Sequence, residues 1–360
     1  MMKLKSFSYE RSDWHVMLPS ITGQNLLVGK NATGKSMIIH TLSEVISVIL
    51  QTVPFSITDS YHTELVWEEG ESTYLYFFRI EKGKVEEERF RVRKDNSEEE
   101  YIQRYGETSL LNGETVNAPE NKLIIHVRRD TVQFPFIEDI VQWAENVLGF
   151  SFNEIDVSGD NMTEAWFVGH KIALYDIINK LQSKGESVID GLKTKMSEIG
   201  YHIHRIQPFD VNDNFKFIFV EEENVHVPLF YRTMSKGMYR ALFTLSLLTY
   251  IADDPRPSML LIDDFCEGLD YDRSILLGKY VYGFCAQKDI QLFTSSNDSF
   301  LMDVVSLDSW HILQREGSNV EVINRTTNPS LFEDFEFTGL RNFDLFSSDF
   351  IARHLQRKGQ

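Results

Sequence analysis

The sequence predicts an α/β fold built on a buried sheet, and three observations carry that reading. A buried strand, Asn25-Leu26-Leu27-Val28, runs into a glycine-bounded turn and then an apolar helix pattern from Lys35 to about Leu50. A second apolar strand, Met259-Leu260-Leu261-Ile262, ends in the paired carboxylates Asp263 and Asp264. Between them, residues 61–93 alternate with the period of half-buried strands, and residues 137–200 change to helical spacing.

At 360 residues the chain is about twice the usual single-domain length, which suggests two lobes or one large domain with an insertion. Apolar residues make up 42%, enough for a large core and too many for a disordered acidic tail. The 36 Lys and Arg against 54 Asp and Glu give a formal net charge of -18. That argues against a broad nucleic-acid groove while leaving room for a local basic patch. Two cysteines, Cys266 and Cys285, are too few for a disulfide scaffold or a Cys-based zinc site and fit a reducing compartment. No stretch approaches the roughly 20 apolar residues that span a bilayer. Met1–Phe7 holds no continuous apolar core of a signal peptide, so a cytoplasmic chain is expected.

Taken in order, residues 2–28 read as short strands ending in the buried one. Leu65/Trp67 and Tyr74/Tyr76/Phe78 mark an antiparallel sheet, with Gly70 and Lys82-Gly83 as its turns. Leu123-Ile124-Ile125 reads as a further strand. Ile137, Ile140, Val141, Ala144, Val147 and Leu148 follow helical spacing, as do Ile172, Ile177, Ile178 and Leu181, then Val188, Leu192, Met196 and Ile199. The expected division is 1–136 for an N-terminal part with the antiparallel sheet, 137–200 for a helical lobe, and 201–360 for a C-terminal part. In the last, Phe215–Phe219 returns to strand, Ser235 to Ala252 to helix, 271–287 to helix and Ile290–Phe293 to strand. A hairpin at Trp310–Gln314 and Asn319–Ile323 and an aromatic-rich tail with a helix from Ser347 or Ser348 complete the chain.

Gly29-Lys30-Asn31-Ala32-Thr33-Gly34-Lys35-Ser36, with Met37 after it, fits the pattern G-x-x-x-x-G-K-S/T between a strand and a helix. The glycines let backbone N–H groups curl around phosphate oxygens, and the helix N-terminus adds positive potential. Lys35 is placed for the β- and γ-phosphates of ATP and Ser36 for Mg²⁺. An apolar strand ending in acid is where such a site takes its second Mg²⁺ ligand, here Asp263. Asp264 follows, placed to orient or deprotonate an attacking water.

Ser235-Lys236-Gly237 opens the helix before Asp263, and Gly268-Leu269-Asp270 follows Asp264. In this order and spacing the chain resembles ABC-type AAA ATPases of the SMC/OLD-like class, over residues 2 to about 305. It looks most like compact members with an Arg-Asp-x-x-Gln-x-Pro-Phe segment, here Arg129–Phe136. The resemblance implies a P-loop NTPase fold: an ABC-type head with an antiparallel β subdomain and an inserted helical lobe. It implies that Gln133 senses Mg²⁺ and γ-phosphate, and that Ser235 and Gly237 close over ATP held by a second copy, in a homodimer or higher oligomer. Ser235 also reads as an ordinary helix N-cap, and the two roles use the same donors.

Two departures point to slow turnover. Asp264 stands where most such enzymes carry Glu, one methylene longer. In Phe293–Leu301 the relatives' switch His is absent, leaving Ser296 and Asn297 as polar candidates, of which Asn297 is the assigned catalytic residue. The resemblance suggests a regulator of a partner effector protein in bacterial anti-phage defence. The alternative is a DNA-repair or DNA-tracking ATPase, and a membrane-transporter subunit ranks last. The chain lacks long heptad arms and ends about 60 residues after the switch segment, leaving little room for a nuclease domain.

His202 and His204 read as strand histidines, not a zinc site. Glu86–Glu88 and Glu98–Glu100 read as solvated loops, and Arg89, Arg91 and Arg93 as a charged strand face.

Overall fold

A computed structural model describes residues 2–95, 97–152, 164–167, 170–212, 215–225, 227–230, 233–252 and 257–358. Strands β1 (Lys3–Arg11), β2 (Trp14–Leu18) and β3 (Gln24–Val28) lead to helix α1 (Lys35–Ile49). An antiparallel run follows: β4 (Tyr61–Glu69), β5 (Ser72–Glu81), β6 (Lys84–Lys94), β7 (Ser97–Tyr105), β8 (Thr108–Leu111) and β9 (Glu114–Thr115). Next come α2 (Ile124–Val127), α3 (Pro135–Glu145), β10 (Val147–Ser151), β11 (Glu164–Phe167), β12 (His170–Ala173), α4 (Leu174–Ser183) and α5 (Glu186–Glu198). β13 (Ile203–Asn212), β14 (Phe215–Glu222) and β15 (Leu229–Phe230) precede α6 (Lys236–Tyr250). Then follow β16 (Met259–Asp263), α7 (Tyr271–Lys288), β17 (Gln291–Ser295), α8 (Ser299–Val304), β18 (Trp310–Glu316), β19 (Asn319–Ile323), α9 (Pro329–Glu336), α10 (Asn342–Ser347) and α11 (Phe350–Lys358).

One mixed sheet runs β12-β11-β10-β16-β17-β3-β18-β19-β2-β1-β4-β5-β6-β7-β8-β9, and β13-β14-β15 form a second. Its middle, β10-β16-β17-β3-β18, is parallel throughout. The central residues of these strands are buried on both faces, and β16 reads as an apolar run up to its terminal acid. Along β16, Leu260 and Ile262 face the core shared with α6 and α7, while Met259 and Leu261 face the core shared with α1 and α3. Leu26 and Val28 of β3 take the first side and Leu27 the second. The sheet is thus a partition between two apolar cores, and its carboxyl edge is where a ligand crevice is expected.

Three expectations change. Leu123-Ile124-Ile125 is not a strand: residues 124–127 form the helical turn α2, because the buried Glu88 carboxylate accepts from the N–H of Ile124 at 2.6 Å. The helical run through Val147 and Leu148 breaks, since both lie in β10, paired in parallel with β16. Tertiary pairing overrides a helix-like spacing there. Glu86–Glu88 and Glu98–Glu100 are strand residues of β6 and β7, with Glu98 bridging Arg91 and Arg93. Arg89 stacks on Phe77 and pairs with Glu87, so these arginines are matched within the sheet. Of the tail phenylalanines, Phe332 and Phe335 enter the core, while Phe337 is exposed.

Candidate nucleotide site

The turn after β3 needs glycine at two places. A Cβ on Gly29 would lie 2.3 Å from Thr33 Oγ1. Gly34 has φ of 104°, and a Cβ there would lie 2.2 Å from the Trp14 ring. Gly34 is also the N-cap of α1 and, among the described residues, no side chain caps that end. The first N–H groups of α1 therefore face the loop with helix-dipole potential behind them. Thr33 Oγ1 closes the turn by donating to the Lys30 carbonyl at 2.9 Å.

Lys35 is buried, and its Nζ donates to the carbonyls of Gly29 (2.7 Å) and Lys30 (3.3 Å). Burial lowers its pKa, while Asp264 and Asp263 oppose that shift. Ser36 is half-buried one position on, and Met37 is exposed.

Asp263 ends β16 and Ser295 ends β17, with β3 next in the sheet, so loop and acids share one edge. Asp263 is 1% exposed. Its Oδ1 accepts from Ser295 Oγ, and its Oδ2 is buried with no hydrogen-bond partner. An orphaned buried carboxylate oxygen is costly, so it marks a place for a ligand. Ser295 Oγ also accepts from the Asp264 N–H at 2.9 Å and so fixes both acids. Asp264 has φ of 52° and opens a turn in which Cys266 (65°) and Gly268 (79°) are also left-handed. Burial, then Asp263 and Glu267, push the Asp264 carboxyl up to about 6 against the pull of Arg240 and Lys35.

The two switch candidates separate. Ser296 is buried, donating to the Phe265 carbonyl (2.7 Å) and accepting from the Asp298 N–H (3.0 Å). Asn297 is exposed and its Nδ2 donates to Asn31 Oδ1 of the loop at 2.9 Å. Gln133 lies in an exposed turn, its backbone N–H donating to Asp130 Oδ1 at 2.8 Å. Among the described residues, no hydrogen bond links its side chain to Ser36 or Asp263.

Ser235 is the N-cap of α6 and accepts from the Met238 N–H at 3.2 Å. A Cβ on Gly237 would meet the Tyr201 hydroxyl at 2.8 Å and the Leu269 side chain at 3.0 Å, so a larger residue here has to displace them. Among the described residues, no hydrogen bond joins Ser235 or Gly237 to loop 29–36 of the same chain. Sequence reasoning missed Ser295, Tyr201 and Trp14. Ser295 had a signal, being a hydroxyl at the end of the strand beside the acid-bearing one, whereas the other two are brought in by distant segments.

No family model and no curated protein matches the sequence. Solved structures do. The head of SMC with an extended coiled coil, bound to the C-terminal domain of ScpA derived from Pyrococcus furiosus, matches with a TM-score of 0.51 at 11% identity, over 93% of this chain and 100% of that one. An SmcHead bound to the C-winged helix domain of ScpA gives 0.52 at 13%, over 89% and 96%. The SMC head domain from Thermotoga maritima gives 0.45 at 14%, over 89% and 98%. At these identities the likeness establishes the fold. The chain has the fold of an SMC head domain. Among the described residues, no helix is long and apolar enough to cross a membrane.

Proposed function

We propose that the chain is a Mg-ATP-binding, slowly hydrolysing ATPase that closes with a second copy around nucleotide and acts as a switch on a partner effector protein. The observation that carries this is the meeting, at one sheet edge, of the uncapped start of α1, buried Lys35 and the unpartnered Oδ2 of Asp263. Loop amides and Lys35 suit a polyphosphate, and Ser36 with Asp263 suits a hard divalent cation. When bound, Mg²⁺ neutralises charge on the phosphates. Asp264 orients or accepts a proton from water, and Ser295 holds it there. Asn297, against Asn31, replaces a cationic switch residue with a neutral one, which supports slow turnover. Ser235 and Gly237 are left to receive a phosphate from the second copy, at the start of α6.

Lys35→Ala should abolish nucleotide binding, read by titration with a fluorescent ATP analogue. Asp264→Asn should bind normally and turn over about 100-fold more slowly, read by phosphate release. A Lys35→Ala chain that still binds and closes would overturn the reading.

The likeness to SMC heads favours a second reading, a DNA-tracking ATPase, which requires ATP-dependent, salt-sensitive DNA binding. Two of the similar heads are bound to parts of ScpA, which supports a protein partner here as well. An anti-phage operon is the setting the resemblance suggests, and the chains that co-purify with this one test it.

A further inference from the structure

Arg240 lies one turn into α6, beyond Ser235 and Gly237, and is 6% exposed. Its guanidinium sits 5.1 Å from the Phe152 ring centroid. Nη1 donates to the main-chain carbonyl of Glu267, Nη2 is 3.8 Å from that residue's carboxylate, and Nε is buried without a partner. Placing an incompletely satisfied cation in a core does not favour stability, so something other than folding accounts for it. What it holds is the turn 264–268, which carries left-handed backbone at two non-glycine residues, Asp264 and Cys266. Such conformations persist only where surrounding contacts fix them. Further contacts on that turn come from the end of β17, where Ser295 accepts from Asp264 and Phe265 and Ser296 donates to the Phe265 carbonyl. The turn is therefore held on one side by the sheet and on the other by α6.

We infer that Arg240 is a positioning residue for hydrolysis: through the Glu267 carbonyl it fixes the turn that aims Asp264, and so couples the start of α6 to the acid of the same chain. This rests on the ATPase reading above. It means that a phosphate of the second copy docking on Ser235 is felt at Asp264 through one side chain, so that the two sites of a closed pair inform each other.

The test uses the full chain as wild type, Arg240→Lys and Arg240→Gln. Thermal unfolding, ATP-analogue affinity, KM and kcat are measured for each. Lysine keeps the charge but cannot reproduce the planar fork at the Glu267 carbonyl. The expected result for both variants is unfolding within a few degrees of wild type, KM and affinity within about twofold, and kcat lower by tenfold or more. Wild-type kcat in either variant overturns the inference. So does failure of both to fold, or a parallel loss of binding and turnover, because either makes Arg240 structural. If wild type itself shows no turnover, it is the ATPase reading that fails.

Discussion

At the scale of single residues, Ser295 shows how little chemistry is needed to aim an acid. One hydroxyl donates to Asp263 Oδ1 and accepts from the Asp264 N–H, leaving Asp263 Oδ2 as the only free oxygen of that carboxylate. Ser295→Ala should cost about 1–3 kcal/mol in denaturant unfolding, since it strands a buried carboxylate oxygen and a backbone donor. Added Mg-ATP should recover part of that loss. Gly34→Ala should be worse. Its φ of 104° and the 2.2 Å approach to Trp14 leave no room for a methyl. A stability loss above about 2 kcal/mol together with lost nucleotide binding is the expected pair of results. The pattern Gly29–Ser36 was legible in the sequence because every position follows from local geometry. The indole beneath Gly34 was not, because it arrives from a different strand. The sequence offered Ser296 and Asn297 and assigned the role to Asn297 without a geometric reason. The burial of Ser296 against Phe265 and the tertiary contact of Asn297 with Asn31 separate them.

At the scale of elements, the legible pieces were those whose burial pattern is uniform along their length, such as β3, β16 and α6. The turn α2 was illegible because its conformation is imposed by Glu88, which lies in β6, 36 residues away in sequence. Glu88 is fully buried and also accepts from the Tyr76 hydroxyl at 2.9 Å. His126 of α2 reaches the Val48 and Ile49 carbonyls at the end of α1, so Glu88 secures the element that backs the phosphate-loop helix. Burial raises its pKa from 4.5 to about 7, against the hydrogen bonds and Arg104 that favour its charge. The folded chain therefore retains a proton that the unfolded chain releases near 4.5. Its stability contribution is present below 4.5 and is lost as pH rises to about 7. At about 1.4 kcal/mol per unit the loss is about 3 kcal/mol. Glu88→Gln should flatten this part of the profile. Unfolding temperatures for both chains from pH 5 to pH 8 measure it, and parallel curves would contradict the assignment.

For the whole molecule, one continuous sheet joins the edge that carries the candidate site to the antiparallel strands β4–β9. The formal charge of -18 then acts on assembly. Two such chains repel, and salt screens that repulsion with a Debye length of about 10 Å at 0.1 M. Asp264→Asn with ATP should therefore pair more tightly at 300 mM than at 50 mM salt, as followed by sedimentation. DNA binding would show the opposite trend, because released counterions make it weaker as salt rises. One salt series thus separates the two readings of function.

Trp14 has a use beyond packing. Its indole is 2% exposed and is pressed against the one glycine whose backbone must stay left-handed for the loop to keep its shape. A ligand that reorders the loop changes the surroundings of that ring, and so its emission. If the loop takes nucleotide as proposed, Trp14 emission reports it, and Trp14→Phe would silence that signal while the remaining tryptophans stay as a constant background.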